Sequence, residues 1–321
     1  MIDDLRGFLD ALKEKGKLRT VENADWDLEI GTINELMAER QGPGLIFDHI
    51  NGYPPGYRVA TNLMHHRIGQ KLAFGFPDGM SDLECVADWK DRWNKFVPVP
   101  PVEVKDGPIR ENILTGDDID IYKIPTPKWH THDGGRYIGT GVITITRDPD
   151  EGWVNTGTYR VMIQDKKSVG VHVAQAHHGF MHIRKALDRN ESIKIAISVG
   201  HHPAFLSAAS MEFPYGYCEY DFVGALQGEP VQVIEGPYSG LPIPADSEIV
   251  LEGEIVPGEV KQEGPLGEWT GYYVGIPEEK PLIRVHSVLH RNDPIILGAP
   301  PVRPPAEHSV QTACASQLPL A

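Results

Sequence analysis

Cysteine is scarce: Cys85, Cys218 and Cys314 are the only three in the chain, far apart and in no CxxC spacing. Such a set builds neither a disulfide framework nor a zinc ribbon, and it fits a reducing, cytoplasmic setting. Positive charge is also in short supply. Thirty Lys and Arg stand against 45 Asp and Glu, a net charge of −15. No basic run breaks that balance, which argues against nucleic acid or an anionic membrane as a partner. No apolar stretch approaches the ~18 residues of a membrane span, and Met1-Ile2-Asp3-Asp4 does not begin a signal peptide. Familiar catalytic motifs are missing as well. There is no GxSxG, no P-loop and no GxGxxG; Gly139-Thr140-Gly141 lacks the third glycine and falls in an expected strand. A classical triad and an NAD Rossmann site are therefore unsupported.

What the chain has in excess is punctuation. Its 33 glycines and 27 prolines are spread along 321 residues with no collagen period, predicting many turns and short strands rather than a helical bundle. A length of 321 residues suggests two domains. Leu5, Phe8, Leu9 and Leu12 follow i, i+3, i+4, i+7 spacing and predict an amphipathic opening helix that stops at Gly16. A second helix is expected over 30–40, strands over 45–47 and 57–61, and a turn at Asn51-Gly52. Val97-Pro98-Val99-Pro100-Pro101-Val102 is a stiff connector. Beyond it, short β-branched strands are expected over 137–147, 157–164, 168–173, 193–199, 231–234, 248–255 and 282–290. One helix, 179–190, interrupts them. This pattern fits an antiparallel sheet or barrel.

Several segments could carry chemistry. Glu263-Gly264-Pro265-Leu266-Gly267-Glu268 holds two carboxylates five residues apart in a turn-rich stretch. Aimed into one cavity, mutual repulsion and burial would raise a pKa and supply a general acid; in isolation, in so acidic a chain, the segment reads more readily as a solvated turn. Asn155-Thr156-Gly157-Thr158-Tyr159-Arg160 puts an amide, hydroxyls and a guanidinium on one expected strand. Strict alternation turns Asn155, Gly157 and Tyr159 one way, with Thr158 and Arg160 the other. Arg160 suits bidentate capture of an oxyanion. His172 and His177-His178 precede a helix, where imidazoles and a helix N-terminus attract metal or phosphate. No spacing here specifies zinc. His65-His66, His130, His132 and His201-His202 are comparable candidates, and Cys218-Glu219-Tyr220-Asp221 reads as a loop with one further carboxylate.

Taken in order, these segments resemble the UbiD family of prenylated-flavin-dependent decarboxylases. The resemblance rests on Asp4-Leu5-Arg6-Gly7-Phe8-Leu9, on Pro125-Thr126-Pro127 leading to Asp133-Gly134-Gly135-Arg136-Tyr137, and on the segment 155–160. It continues through His177-His178-Gly179, Glu219-Tyr220-Asp221-Phe222-Val223-Gly224-Ala225, the segment 244–253 and Glu263–Glu268. It covers almost the whole chain, and its specificity lies in the order of the motifs.

The resemblance implies an α+β fold. An N-terminal α/β domain (1–105) would precede a flavin-reductase-like split β-barrel that binds prenylated FMN (106–308), followed by a stub (309–321). The family's usual C-terminal α/β domain would be absent. It implies Asn155, His177 and Glu219 around Mn²⁺ or Mg²⁺, with K⁺ or Na⁺ nearby sharing Glu219; oxygen ligands beside a phosphate suit such hard ions. Thr158, Tyr159, Arg160, Val173, Ala174, Gln175, His178 and Gly179 would line the flavin. Arg160, Glu263 and Glu268 would form the catalytic group. The implied activity is reversible, non-oxidative decarboxylation of an aromatic or α,β-unsaturated acid, with Glu268 as proton donor. A flavin prenyltransferase would supply the cofactor, and a homo-oligomer or a separate C-terminal subunit is expected. Two alternatives stand beside this reading: a non-catalytic flavin-binding or scaffold subunit of a larger carboxylase complex, and a flavin-free metal hydrolase using the same His and Glu residues.

Overall fold

Helix α1, Leu5–Glu14, forms where the leucine spacing places it, burying Leu5, Phe8, Leu9 and Leu12 on one face. The Asp4 carboxylate caps it by accepting from the Gly7 N–H, and Gly16, at φ +64°, turns the chain away after it. These details come from a computed structural model that describes residues 2–273 and 275–303. Cys314 and the stub expected from residue 309 lie outside the described residues. Helix α2 spans Glu29–Glu39. Two further helices lie where none was expected, α3 (Arg67–Ala73) and α4 (Asp82–Asn94). A capping box between Ser81 and Glu84 starts α4.

The strands of this region form a sheet ordered Leu18–Glu22, Gly44–Asp48, Arg58–Thr61, Ile295–Gly298. The last strand pairs in parallel with Arg58–Thr61, from Ile295 beside Arg58 to Gly298 beside Thr61. The N-terminal unit thus takes its fourth strand from residues far beyond 105. A second link is ionic. Arg6 of α1 grips the fully buried Glu248 carboxylate through two hydrogen bonds of 2.8 and 2.9 Å, and Arg291 ties Glu248 to Asp4.

A nine-stranded sheet forms the rest of the body. Its path begins at Tyr137–Gly139 and Arg160–Asp165, crosses Ser168–His172, Glu278–His290, Ile249–Glu263 and Ile193–Val199, and ends at Val142–Arg147 and Val154–Gly157. Arg160–Asp165 and Val154–Gly157 lie six strand spacings apart along this path, about 29 Å if the sheet were flat. Only Thr158 and Tyr159 separate them in sequence, and three peptide steps reach at most about 11 Å. The sheet must curl until its ends meet, which makes the split barrel. Val161, Val171, Ile195, Ile197 and Val285 fill its interior, each worth about 2 kcal/mol on burial.

Several expected strands are corrected by this geometry. The segment 137–147 is two strands broken at Thr140-Gly141, and 157–164 crosses the closing gap instead of lying in one strand. Gln232–Glu235 leaves the barrel for a small sheet with Pro242–Pro244 and Val102–Glu103. The long hairpin Ile249–Glu263 and Glu278–His290 outruns the expected 248–255 and 282–290, carrying Glu263 to its tip. Helix α5 (His178–Asp188) lies on the sheet, and α6 (Pro203–Ala209) and α7 (Glu219–Gln227) pack beside it.

Three histidines serve the fold rather than a cluster of ligands. His182 contacts Thr146, His202 accepts the Ala204 N–H, and His201 lies beside Ser198; all three are buried. Burial pulls their pKa values down to about 4, 4 and 3, respectively. In the unfolded chain each titrates near the ordinary ~6.5, so between about pH 4 and 6.5 the unfolded state binds more protons. Stability from these groups is complete above pH 6.5 and falls as the pH drops, by about 1–2 kcal/mol each at pH 5. Urea melts should show the midpoint falling from pH 7 to pH 5. An unchanged midpoint over that range would contradict their neutral burial.

Candidate active site

The hairpin strand Ile249–Glu263 delivers Glu263, fully buried, to the barrel wall. Gly264 follows at φ +88°, a conformation that suits glycine. Arg160, the first residue of Arg160–Asp165, faces this tip. Its Nε and Nη2 donate to the two Glu263 oxygens at 2.9 and 2.7 Å, and its Nη1 reaches Glu268 Oε1 at 3.3 Å. One guanidinium therefore holds both carboxylates of the expected pair. The two are not equivalent: the Glu268 side chain remains 29% exposed while Glu263 is sealed. Burial raises the Glu268 pKa above the ordinary carboxylate range; Arg160 opposes the rise and the Glu263 charge adds to it. His172 lies on the neighbouring strand with Nδ1 4.0 Å from Glu263, and burial, aided by the Arg160 charge, favours its neutral form.

A second acidic point forms where the barrel closes. Glu219, expected in a loop, is the first residue of α7 and is 3% exposed. Tyr220, Phe222 and Val223 bury the face that makes this segment helical, and Gly228 ends it in the left-handed conformation. Glu219 accepts from Asn155 Nδ2 and the Thr156 N–H, both at 2.7 Å. These donors are neutral, and burial pushes the Glu219 pKa up to about 7. The Tyr159 hydroxyl donates to Asn155 Oδ1 and accepts from the Gly179 N–H at the start of α5. Gly157 and Gly179 make room for this ring: a Cβ on either would fall 2.1 or 2.7 Å from Tyr159. Asn155 and Tyr159 meet through this hydrogen bond, but Tyr159 lies in the link between strands and Arg160 belongs to a different strand, so the single alternating strand expected over 155–160 is not formed.

Each acidic point lines a pocket of its own, and the two pockets adjoin as lobes that share Tyr159 and His177 in their walls. Arg160, Glu268, Thr158 and Ala174 line one lobe together with Leu206, Leu266 and Ala299. Asn155, His178 and Glu219 line the other. Val173 packs against the barrel core, Gln175 is exposed beside Ala174 without entering either lobe wall, and Gly179 backs Tyr159. His65-His66 lies elsewhere, with His66 capping α3. His130 lies against Gly267 of the Glu263–Glu268 loop, and the His132 N–H donates to the Tyr273 hydroxyl. Sequence reasoning quoted Thr156 within its motif without assigning it a role and missed Leu206, whose only signal was proximity to His201-His202. It also missed Ala299, placed by a strand pairing over more than 230 residues. Among the described residues no three His, Cys, Asp or Glu side chains converge as a metal site; the Asn155/His177/Glu219 set draws on an amide. No helix among them is long and apolar enough to cross a membrane.

Known proteins share this architecture. Residues 9–93 match the 3-octaprenyl-4-hydroxybenzoate carboxy-lyase N-terminal domain, and residues 101–304 match the carboxy-lyase Rift-related domain of the same family. The chain is 36% identical to pyrrole-2-carboxylic acid decarboxylase of Pseudomonas aeruginosa, over 93% of this chain and 62% of that protein. It is 34% identical to phenolic acid decarboxylase of Bacillus subtilis, over 92% and 64% respectively. Among solved structures, vanillic acid decarboxylase of Sedimentibacter hydroxybenzoicus superposes with a TM-score of 0.88 at 32% identity, covering 97% of this chain and 67% of that one. An evolved dimeric form of the UbiD-class enzyme HmfF from Pelotomaculum thermopropionicum, in complex with prFMN, gives 0.87 at 30%, covering 98% and 70%. The chain thus spans somewhat under two thirds of the length of these two curated relatives. With both family models matched in order along it, the chain belongs to the UbiD family.

Proposed function

We propose that this chain carries the flavin-binding and proton-donating core of a reversible, non-oxidative decarboxylase acting on an aromatic or α,β-unsaturated carboxylic acid. The observation that carries the reading is Arg160 bridging buried Glu263 and open Glu268 beside one lobe while Glu219 lines the adjoining one. The names of the pyrrole-2-carboxylic and phenolic acid decarboxylases support the substrate class, and HmfF with prFMN supports the cofactor.

The residues fit a bound, phosphate-bearing flavin with a divalent ion. Glu219 is a buried carboxylate whose hydrogen-bond donors are all neutral, so a cation would supply its missing counter-charge. Asn155, His177 and Glu219 would hold Mn²⁺ or Mg²⁺, K⁺ or Na⁺ would share Glu219, and Thr158, Tyr159, Arg160, Ala174 and His178 would border the flavin. When bound, prenylated FMN supplies the electron sink for the pair left as CO₂ departs. The protein's part is proton management. Glu268, in its acid form, gives a proton to the carbon that lost CO₂ and is reprotonated from solvent. Arg160, anchored on Glu263, holds that acid in place. Leu206 and Leu266 keep water away from the reacting carbon.

The test is the absorption spectrum, mass and CO₂ release of the chain purified after co-expression with a flavin prenyltransferase, with Mn²⁺ present. Bound prenylated flavin and CO₂ release are expected. A colourless but active preparation would favour the metal hydrolase; a flavin-loaded chain active only with a second chain added would favour the scaffold subunit. Glu219→Gln keeps the shape and removes the charge, and should weaken Mn²⁺-dependent flavin retention about 10–100-fold. Retention at the wild-type level on gel filtration would contradict its role as a ligand.

A further inference from the structure

The motif Asp133-Gly134-Gly135-Arg136-Tyr137 lies outside the chemistry above, yet it lies against the loop that bears the acid. Asp133 is 5% exposed, and both its oxygens are occupied by backbone donors. Oδ1 accepts from the Gly267 N–H at 3.0 Å, one residue before Glu268, and Oδ2 accepts from the His130 N–H at 2.8 Å. The Gly134 N–H donates to the Pro265 carbonyl at 2.8 Å, and a Cβ on Gly134 would fall 2.1 Å from the Gly264 carbonyl. The Gly267 Cα rests on the His130 ring, where a Cβ would approach Nδ1 to 2.7 Å. On its far side the brace is fixed to the N-terminal unit. The Arg136 guanidinium stacks over Trp26 at 4.2 Å and donates to the Thr126 and Ile124 carbonyls. Beyond the acid, the Glu268 N–H is bonded to the Tyr272 carbonyl. Glu268 is thus held from three directions: by its side chain on Arg160, by its own N–H, and through Gly267 by Asp133.

We propose that Asp133 is a positioning residue for the proton donor, fixing the backbone of the Gly264–Glu268 loop so that Glu268 meets the reacting carbon. This rests on the decarboxylase reading for its consequence, but the tether itself can be read without catalysis. An asparagine at 133 accepts from one N–H and turns an amide donor toward the other, so the carboxylate bridge between the His130 N–H and the Gly267 N–H is broken at one end or the other. An ion-assisted hydrogen bond to backbone is strong enough that its loss changes a local equilibrium about tenfold.

The experiment compares wild type, Asp133→Asn and Gly267→Ala; the last leaves the carboxylate intact but pushes the loop off the His130 ring. Amide hydrogen exchange is followed by mass spectrometry, and kcat and KM are measured on the flavin-loaded protein. Both variants should exchange about tenfold faster over residues 264–273, with the barrel strands unchanged. kcat should fall about tenfold while KM stays within about twofold, since the loop carries the acid and Leu266 whereas the residues proposed to border the flavin lie on other segments. Unchanged exchange at 264–273, or faster exchange throughout the chain, would overturn the tether. A local rise in exchange with wild-type kcat would overturn the positioning role. If Asp133→Asn does not fold, Gly267→Ala decides between these outcomes. Wild-type protein that binds flavin but releases no CO₂ would sink the decarboxylase reading, while the exchange data would still decide the tether.

Discussion

Glu268→Gln should cut CO₂ release at least a hundredfold and leave the flavin bound. The amide keeps the shape of the carboxyl, and its oxygen can still accept from Arg160 Nη1, so the guanidinium stays anchored on Glu263. What is lost is the acidic proton. Positioned general acids contribute about 10²–10⁴ in rate, so kcat should fall by at least a hundredfold. The side chain is partly exposed, and the melting temperature should stay within a few degrees of wild type. The sign of the pH dependence follows from the same carboxyl. Its pKa lies above the ordinary carboxylate value because it is buried and faces Glu263. The acid form is full at low pH and is lost as pH rises through that value. Wild-type CO₂ release should therefore decline on the alkaline side, and the residual rate of Glu268→Gln should lack that limb. Full turnover by the variant, reconstituted with prenylated flavin and Mn²⁺, would remove Glu268 from the mechanism.

The legible parts of this protein are those whose signal is local. The i, i+3, i+4 leucines of α1 and the β-branched run of Ile193–Val199 became the expected elements with nearly the expected bounds. Helix α4 was equally legible but unread: Ser81 and Glu84 spell a capping box, and the helix behind it buries no residue, so hydrophobic periodicity was weak. Glu219 looked like a loop because Pro214 and Gly216 dominate the approach, whereas the packing of Tyr220 and Phe222 decides the helix. What sequence could not supply was distance. Arg160 meets Glu263 across 103 positions and Asn155 meets Glu219 across 64. Both encounters depend on the sheet curling until Val154–Gly157 lies two residues from Arg160–Asp165. The resemblance named these residues as a set, but the reason they can be a set is that closure.

Arg160→Met should cost both the fold and the reaction, and the two losses can be separated. Glu263 is fully buried and both its oxygens are held by Arg160 Nε and Nη2, while His172, 4.0 Å away, is itself kept neutral by burial and offers no replacement charge. Removing the guanidinium strands a carboxylate in the barrel wall, a change that costs about 3–5 kcal/mol. It also frees Glu268 from its side-chain anchor, so CO₂ release should disappear. Lysine is a poor substitute, since an ammonium is a point charge and cannot fork across both Glu263 oxygens while reaching Glu268. The informative partner is the double variant Arg160→Met with Glu263→Gln, in which no buried charge is left unpaired. Urea melts at pH 7 should recover most of the lost stability in the double variant, while CO₂ release stays absent. A single Arg160→Met variant that melts at the wild-type midpoint would mean that Glu263 is not held as a charge at all. A double variant that regained activity would mean that the triad braces the barrel and leaves the proton to another group.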